Sequence, residues 1–191
     1  MLDKIELIKH NIQEIKDQHN MIEDTCNEIM RSLEKRMKPR QATPGNIVDA
    51  FGSFDYDEAG GGRIKIKGNW RNENIVELVV NGVKIWCHRY CAAQFAGAFA
   101  DVIAEGLWAL VDISQGGGCF VPRHKNWNIN QGLSLHSYGI ALDFNPKKYP
   151  YGSDKRIDQR IVDIFNKWGF VSGSDWQTPD SMHLEWAFFP I

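Results

Sequence analysis

Long apolar runs are missing from this chain. None of its 191 residues belongs to a stretch near the roughly 20 that a membrane span requires. The opening Met1-Leu-Asp-Lys-Ile-Glu-Leu-Ile-Lys9 alternates charge with apolar residues and lacks the uninterrupted core of a secretory leader. The expectation is a protein made in the cytoplasm of its host, with no membrane span. A surplus of either charge is also missing: 22 basic and 24 acidic residues leave a net charge of -2. That balance provides no electrostatic footprint for nucleic acid, so no nucleic-acid partner is expected. Cysteine is sparse. Cys26, Cys87, Cys91 and Cys119 form neither a C-x-x-C pair nor a dense disulfide framework. Cys87, His88 and Cys91 could in principle bind a metal together, but small thiols packed where a strand meets a helix explain them as well. Internal repeats and low-complexity segments are absent too.

Residues 1–38 are rich in helical signal. Ile5, Ile8, Ile12, Ile15, Ile22, Ile29 and Leu33 recur in steps of three and four, and His19 and Cys26 fall on the same seam. A 3.5-residue repeat sustained over four heptads predicts a coiled-coil stem. Isoleucine at both seam positions favours a trimer or larger homo-oligomer over a dimer. The alternative is a helix folded back on its own domain. Residues 39–47, with two prolines and a glycine, read as a linker. The remainder, 48–191, reads as one α+β domain: a small, mostly antiparallel sheet flanked by helices. Its clearest element is a hairpin, 74–80 and 83–87, around Asn81-Gly82. A strand is expected at 63–67, an Ala-rich helix at 90–105, a buried strand at 107–113, a glycine loop at 116–118 and an amphipathic helix from Ser153 to Trp168.

Two short stretches carry the chemistry. The first is Ser134-Leu-His-Ser-Tyr-Gly-Ile-Ala-Leu-Asp143, the second Asp180-Ser-Met-His-Leu-Glu-Trp186. His136 and Asp143 are seven apart, about 10 Å along a helix, too far for two ligands of one ion. The chain must therefore bend, and Gly139 allows it. Beyond the glycine, Ile140, Leu142 and Phe144 alternate with Ala141 and Asp143, as in a strand with the acid on the face opposite the large apolar residues. A carboxylate in that setting requires a cation nearby. His183 supplies a second imidazole. Asp180, three residues earlier, would lie one turn away as a general base. Two histidines and an acid with a fourth position open is the ligand set of a catalytic zinc site. Each histidine taken alone could equally be structural or solvated.

Ser134-x-His136-x-x-Gly139-x-Ala141-x-Asp143 followed by Asp180-x-x-His183-x-Glu185 resembles peptidase family M15. These are the zinc D-alanyl-D-alanine carboxypeptidases and L-alanyl-D-glutamate endopeptidases, including VanY- and VanX-like enzymes and many phage endolysins, and they share a fold with the hedgehog signalling domain. Gly118-Cys-Phe-Val-Pro-Arg123 and Gly169–Trp176 extend the resemblance over roughly residues 45–191. The resemblance implies that His136, Asp143 and His183 bind one Zn2+ per chain and that Asp180 is the catalytic carboxylate. It implies that Arg123 polarises the scissile carbonyl, although a surface arginine would look the same in sequence. Ser134 and Glu185 would orient the ligands. Tyr138 and Trp176 would wall the cleft or sit in the core. Leu184 stands where the family often has Phe, and Ser174-Asp175 precedes Trp176 where relatives commonly carry small residues. The implied substrate is a peptidoglycan stem peptide, met in the periplasm or cell wall by a phage or prophage lysin or by a virion-borne hydrolase; the alternatives are a D,D-carboxypeptidase or dipeptidase on the same fold, or a non-catalytic virion structural or binding protein.

If residues 1–38 self-associate, the full chain should sediment as an oligomer and residues 40–191 as a monomer. Monomeric sedimentation of both would eliminate the stem as an oligomerisation element.

Overall fold

The computed structural model describes residues 11–22, 24–25, 44–113 and 118–187. Contacts divide the chain into two units, residues 1–38 with 190–191, and residues 39–189. In the first unit the described residues are helical, and Ile12, Ile15 and Ile22 are exposed along them. His19 on the same seam is helical and exposed too; Ile5, Ile8, Cys26, Ile29 and Leu33 lie outside the described residues, as do 39–43 of the expected linker and residues 116–117 of the glycine loop.

The second unit contains four α-helices and seven strands among its described residues. Residues 44–47, expected to be linker, instead open helix α1, Pro44–Phe51. Proline is well suited to a first helical turn, where its missing N–H leaves no bond unmade. Ile47 and Phe51, four apart and so on one face, are both buried. Strands β1 (Tyr56–Glu58) and β2 (Ile64–Ile66) pair antiparallel, and β2 falls within the expected 63–67. Helix α2, Trp70–Asn74, leads into β3 (Ile75–Val80) and β4 (Val83–His88). Their turn is the expected Asn81-Gly82, with φ of 45° and 80°, the left-handed pair that matches the twist of a tight hairpin. Helix α3, Ala92–Ala104, follows.

The third sheet holds the chemistry. Its order is β5 (Ala141–Asp143), β7 (Asp180–Trp186), β6 (Phe170–Gly173), antiparallel throughout. Leu142 and Leu184 pair across β5 and β7 and are fully buried. Their neighbours Asp143 and His183 also pair, and alternation turns both to the opposite face. Behind the sheet, Phe95, Phe99, Phe144, Phe165 and Phe170 form the core from α3, α4 (Gln159–Lys167) and the strands, with ring centroids 4.5 Å apart for Phe95 and Phe170 and 5.4 Å for Phe99 and Phe165.

Two expected elements are corrected. Residues 107–113 form no strand, although Leu107, Val111 and Ile113 are buried; Trp108–Leu110 is a 3-10 turn. The Asn145 side chain accepts from Asp112 N–H and donates to the Leu110 carbonyl at 2.7 Å, so these backbone groups need no strand partner. The helix expected from Ser153 begins only at Gln159. Asp158 is its cap, accepting from Arg160 N–H at 3.0 Å, while Ile157 is buried ahead of the helix.

The α3–α4 junction is close. A Cβ on Gly97 would overlap the Trp168 ring, whose Nε1–H donates to Asp101 at 2.8 Å. Alanine ordinarily stabilises a helix interior by roughly 0.5–1 kcal/mol over glycine. Here overpacking, about 1–3 kcal/mol, outweighs that gain. Gly97→Ala should therefore lower the urea midpoint; a rise would mean that Trp168 moves aside freely.

Candidate metal centre

His136 sits on a 3-10 turn, Leu135–Tyr138. Ser134 caps it, its hydroxyl accepting from His136 N–H at 3.4 Å. Gly139 ends it with φ of 68°. A Cβ there would come within 2.9 Å of His88 N, so glycine is required both for the left-handed bend and for the close approach. Strand β5 follows at once, which is the bend and strand expected from the spacing of His136 and Asp143.

Three atoms then converge. His136 Nε2 lies 3.2 Å from His183 Nδ1 and 3.2 Å from Asp143 Oδ1, and His183 Nδ1 lies 2.8 Å from Asp143 Oδ1. Corners of a tetrahedron around zinc are roughly 3.3 Å apart, given metal–ligand bonds of about 2.0–2.1 Å. The outer hydrogen bonds set the tautomers. His136 Nδ1–H donates to the Cys119 carbonyl at 3.0 Å, leaving Nε2 with a lone pair. His183 Nε2–H donates to Glu185 at 3.1 Å, leaving Nδ1 free for a metal. Two lone pairs and a carboxylate oxygen aimed at one point call for a cation, and these residues fit a metal ion. In its absence a proton takes that part. Burial opposes the charge on His183, but hydrogen bonds to Asp143 and Glu185 outweigh it and push its imidazole up to about 10. Burial likewise opposes ionisation of Asp143, yet the two histidines hold its carboxyl far below the usual range. Burial lowers the pKa of His136 despite Asp143 beside it.

Asp180 reaches the same cleft by another route than expected. It shares strand β7 with His183, so no helical turn relates them, and residues three apart on a regular strand face opposite ways. The register resolves this. Leu184 pairs with Ser172 while Asp180 pairs with Gly173, so β7 carries extra residues between the two pairs. Such a bulge re-aims a side chain. Asp180 is half-buried, and its Oδ1 has no hydrogen-bond partner. Burial raises its pKa, outweighing the pull of His183 and Arg123. Arg123 lies across the cleft, Nη2 3.7 Å from Asp143 Oδ2. Burial lowers its pKa while Asp143 and Asp180 favour its charge.

Asp143, His183, Asp180, Arg123, Ser134, Glu185 and Trp176 all line one cleft of about 520 Å³. The Trp176 ring is 5.4 Å from that of His183. Tyr138 does not reach the cleft. It is buried against Phe54 and Trp70, with centroids 5.0 and 5.9 Å away. On a 3-10 turn, positions two apart diverge, so Tyr138 cannot share the face of His136. Cys87, His88 and Cys91 are packed in the core. Burial pushes the Cys87 thiol up to about 12 and His88 down to about 4, while His88 Nδ1 accepts from Tyr90 N–H.

Several contributors have no motif to reveal them. Ser137 Oγ accepts from Arg123 N–H at 2.8 Å and donates to the Arg123 carbonyl at 2.7 Å, tying the arginine to the histidine turn. Its position inside the first quoted stretch was the available clue. Lys125, Trp127 and Tyr151 also line the cleft.

Residues 128–186 match the sequence model of a peptidase M15 family described as D-alanyl-D-alanine carboxypeptidase. That segment is similar to peptidase family M15. It contains His136, Asp143, Asp180, His183 and Glu185; Arg123 lies just ahead of it. No curated protein and no solved structure matches the chain. The family and the converging donors together support a metallopeptidase. Among the described residues, no helix is long and apolar enough to cross a membrane.

The loop at the cleft mouth is clamped by His124, which is 4% exposed. Its Nδ1 faces the Gln131 carbonyl at 2.7 Å and its Nε2 faces Glu58 at 2.9 Å. Both partners are acceptors, an arrangement that favours the protonated imidazolium, and the hydrogen bond to Glu58 raises the pKa above 6.5. This contribution to stability is complete below about pH 6.5 and fades as pH rises through the higher folded value. His124→Gln should flatten the decline in unfolding midpoint above pH 6.5 relative to wild type. An identical slope would show that this clamp does not titrate.

Proposed function

We propose that this M15-type chain is a zinc-dependent peptidoglycan hydrolase that cuts a stem-peptide bond, in the manner of an L-alanyl-D-glutamate endopeptidase. The observation that carries the reading is the set of three donor atoms within 3.2 Å of one another, beside an unpartnered Asp180 oxygen and the Arg123 guanidinium. His136, Asp143 and His183 would hold the ion. Zinc, when bound, would act as a Lewis acid and bring the pKa of water towards about 7.

The chain's own residues supply the rest. Asp180 accepts a proton from the attacking water at its free oxygen and returns it to the leaving amine. Arg123 faces the carbonyl oxygen as negative charge develops there. Glu185 and the Cys119 carbonyl keep each imidazole in the tautomer that presents a lone pair. Trp176 walls the cleft beside His183. A second reading, D,D-carboxypeptidase or dipeptidase action, is favoured by the description of the matched family. Under either reading, residues 1–38 would serve as an oligomerising stem, trimeric by its seam, of a phage or prophage lysin or a virion component.

His136→Ala should lose both bound zinc, measured by mass spectrometry of the metal, and hydrolysis of purified sacculi. Asp180→Ala should keep one zinc per chain while turnover falls on the order of 10²- to 10⁴-fold. Wild-type turnover in Asp180→Ala would overturn this mechanism. Mass analysis of digested muropeptides separates endopeptidase from carboxypeptidase products.

A further inference from the structure

Arg123 is held in an unusual way for a buried guanidinium. Its polar contacts within the protein are long: 3.7 Å to Asp143 and 3.4 Å from Nη1 to the His124 carbonyl. Charge-assisted hydrogen bonds to a carboxylate normally run about 2.7–2.9 Å. The close partner is an aromatic face. Arg123 Cζ lies 5.0 Å from the centroid of the Trp127 ring, and Arg63 Cζ lies 5.0 Å from the same side chain. Arg63 and Arg123 are also joined by a backbone bridge.

Trp127 is fixed in turn. It is 44% exposed, yet its backbone is not free. Asn126 and Trp127 both take left-handed φ, 53° and 56°, which a bulky side chain adopts only when its surroundings impose it. Trp127 N–H donates to the His124 carbonyl at 3.2 Å, and Lys125 N–H to the Gly132 carbonyl at 2.9 Å. The floor beneath is Gly62, also left-handed at 73°, where a Cβ would overlap the Trp127 carbonyl. The β1–β2 turn therefore seats the tryptophan, and the tryptophan seats the arginine.

We propose that Trp127 is a positioning residue for Arg123. A cation–π contact constrains the plane of a guanidinium without occupying its in-plane N–H groups. Beyond the long contacts to the His124 carbonyl and Asp143, donor capacity remains for a substrate oxygen in the cleft. The contact also opposes collapse of Arg123 onto Asp143, where a tight ion pair would draw the carboxylate away from a metal. The proposal rests on the role given to Arg123 in the peptidase reading, but its geometric part stands apart from activity.

The test uses the full-length, zinc-loaded protein with Trp127→Leu and Trp127→Phe. In ¹⁵N-arginine-labelled samples, the Arg123 Nε–Hε resonance, assigned with Arg123→Lys, should shift in Trp127→Leu through loss of the ring current and stay near its wild-type position in Trp127→Phe. On purified sacculi or muropeptides, Trp127→Leu should lower kcat by roughly tenfold to a hundredfold with KM, zinc content and unfolding midpoint unchanged, and Trp127→Phe should restore most of the turnover. A rise in KM with kcat intact would make Trp127 a wall for substrate and overturn the proposal, as would an Arg123 resonance that does not move. If the wild-type protein cuts no peptidoglycan, the peptidase reading fails by that result, and the resonance alone decides whether Trp127 holds the arginine.

Discussion

Two buried imidazole nitrogens and the oxygen of a half-buried carboxylate point at one another within 3.2 Å. Everything around them follows from that constraint. Each imidazole has its other nitrogen committed outward, to the Cys119 carbonyl and to Glu185. The inward lone pairs can be satisfied only by a positive centre. Removing an ion from water costs several kcal/mol even after relaxation, so an acid here persists only beside such a centre. A proton shared through His183 meets the need, and a divalent ion meets it with better geometry. A site that holds one positive charge or the other is poised for metal exchange with protons, as linkage requires of a ligand set of this kind.

The backbone is arranged to deliver those atoms. Ser134 starts the turn and Gly139 ends it, so His136 is held on the turn before the chain straightens into β5 at Ala141. The β5–β7 register then sets Asp143 opposite His183, with Leu142 and Leu184 anchoring the reverse face in the phenylalanine core. An irregular register between β6 and β7 adds Asp180 from the same strand as its histidine. The cleft thus brings the acids Asp143, Asp180 and Glu185 together with the basic Arg123 and Lys125.

Much of this was legible in the residues. The seven-residue gap between His136 and Asp143 excluded a helix, Gly139 marked the bend, and the alternation after it marked a strand. Asn81-Gly82 marked the hairpin, because few other pairs accept two left-handed residues. The failures share one cause, which is partners distant in sequence. Residues 107–113 look like a strand until Asn145 supplies their hydrogen bonds from 33 and 35 positions away. Tyr138 is amphipathic and equally at home in cleft or core; Phe54 and Trp70 decide for the core. Arg123 by itself cannot be told from a surface arginine, and Trp127 belongs to no pattern.

By itself, then, the sequence determined the donor residues, their order and the bend between them, since spacing and backbone freedom are local properties. It also determined that a carboxylate amid large apolar residues would need a cation. Only the tertiary structure decided which nitrogen of each histidine faces the centre, because that depends on a carbonyl and a carboxylate brought in from elsewhere. It likewise decided that Asp180 arrives through a bulge and not a helical turn, and that an indole seated on Gly62 holds the arginine. These are outcomes of register and packing between segments, and no local spacing encodes them.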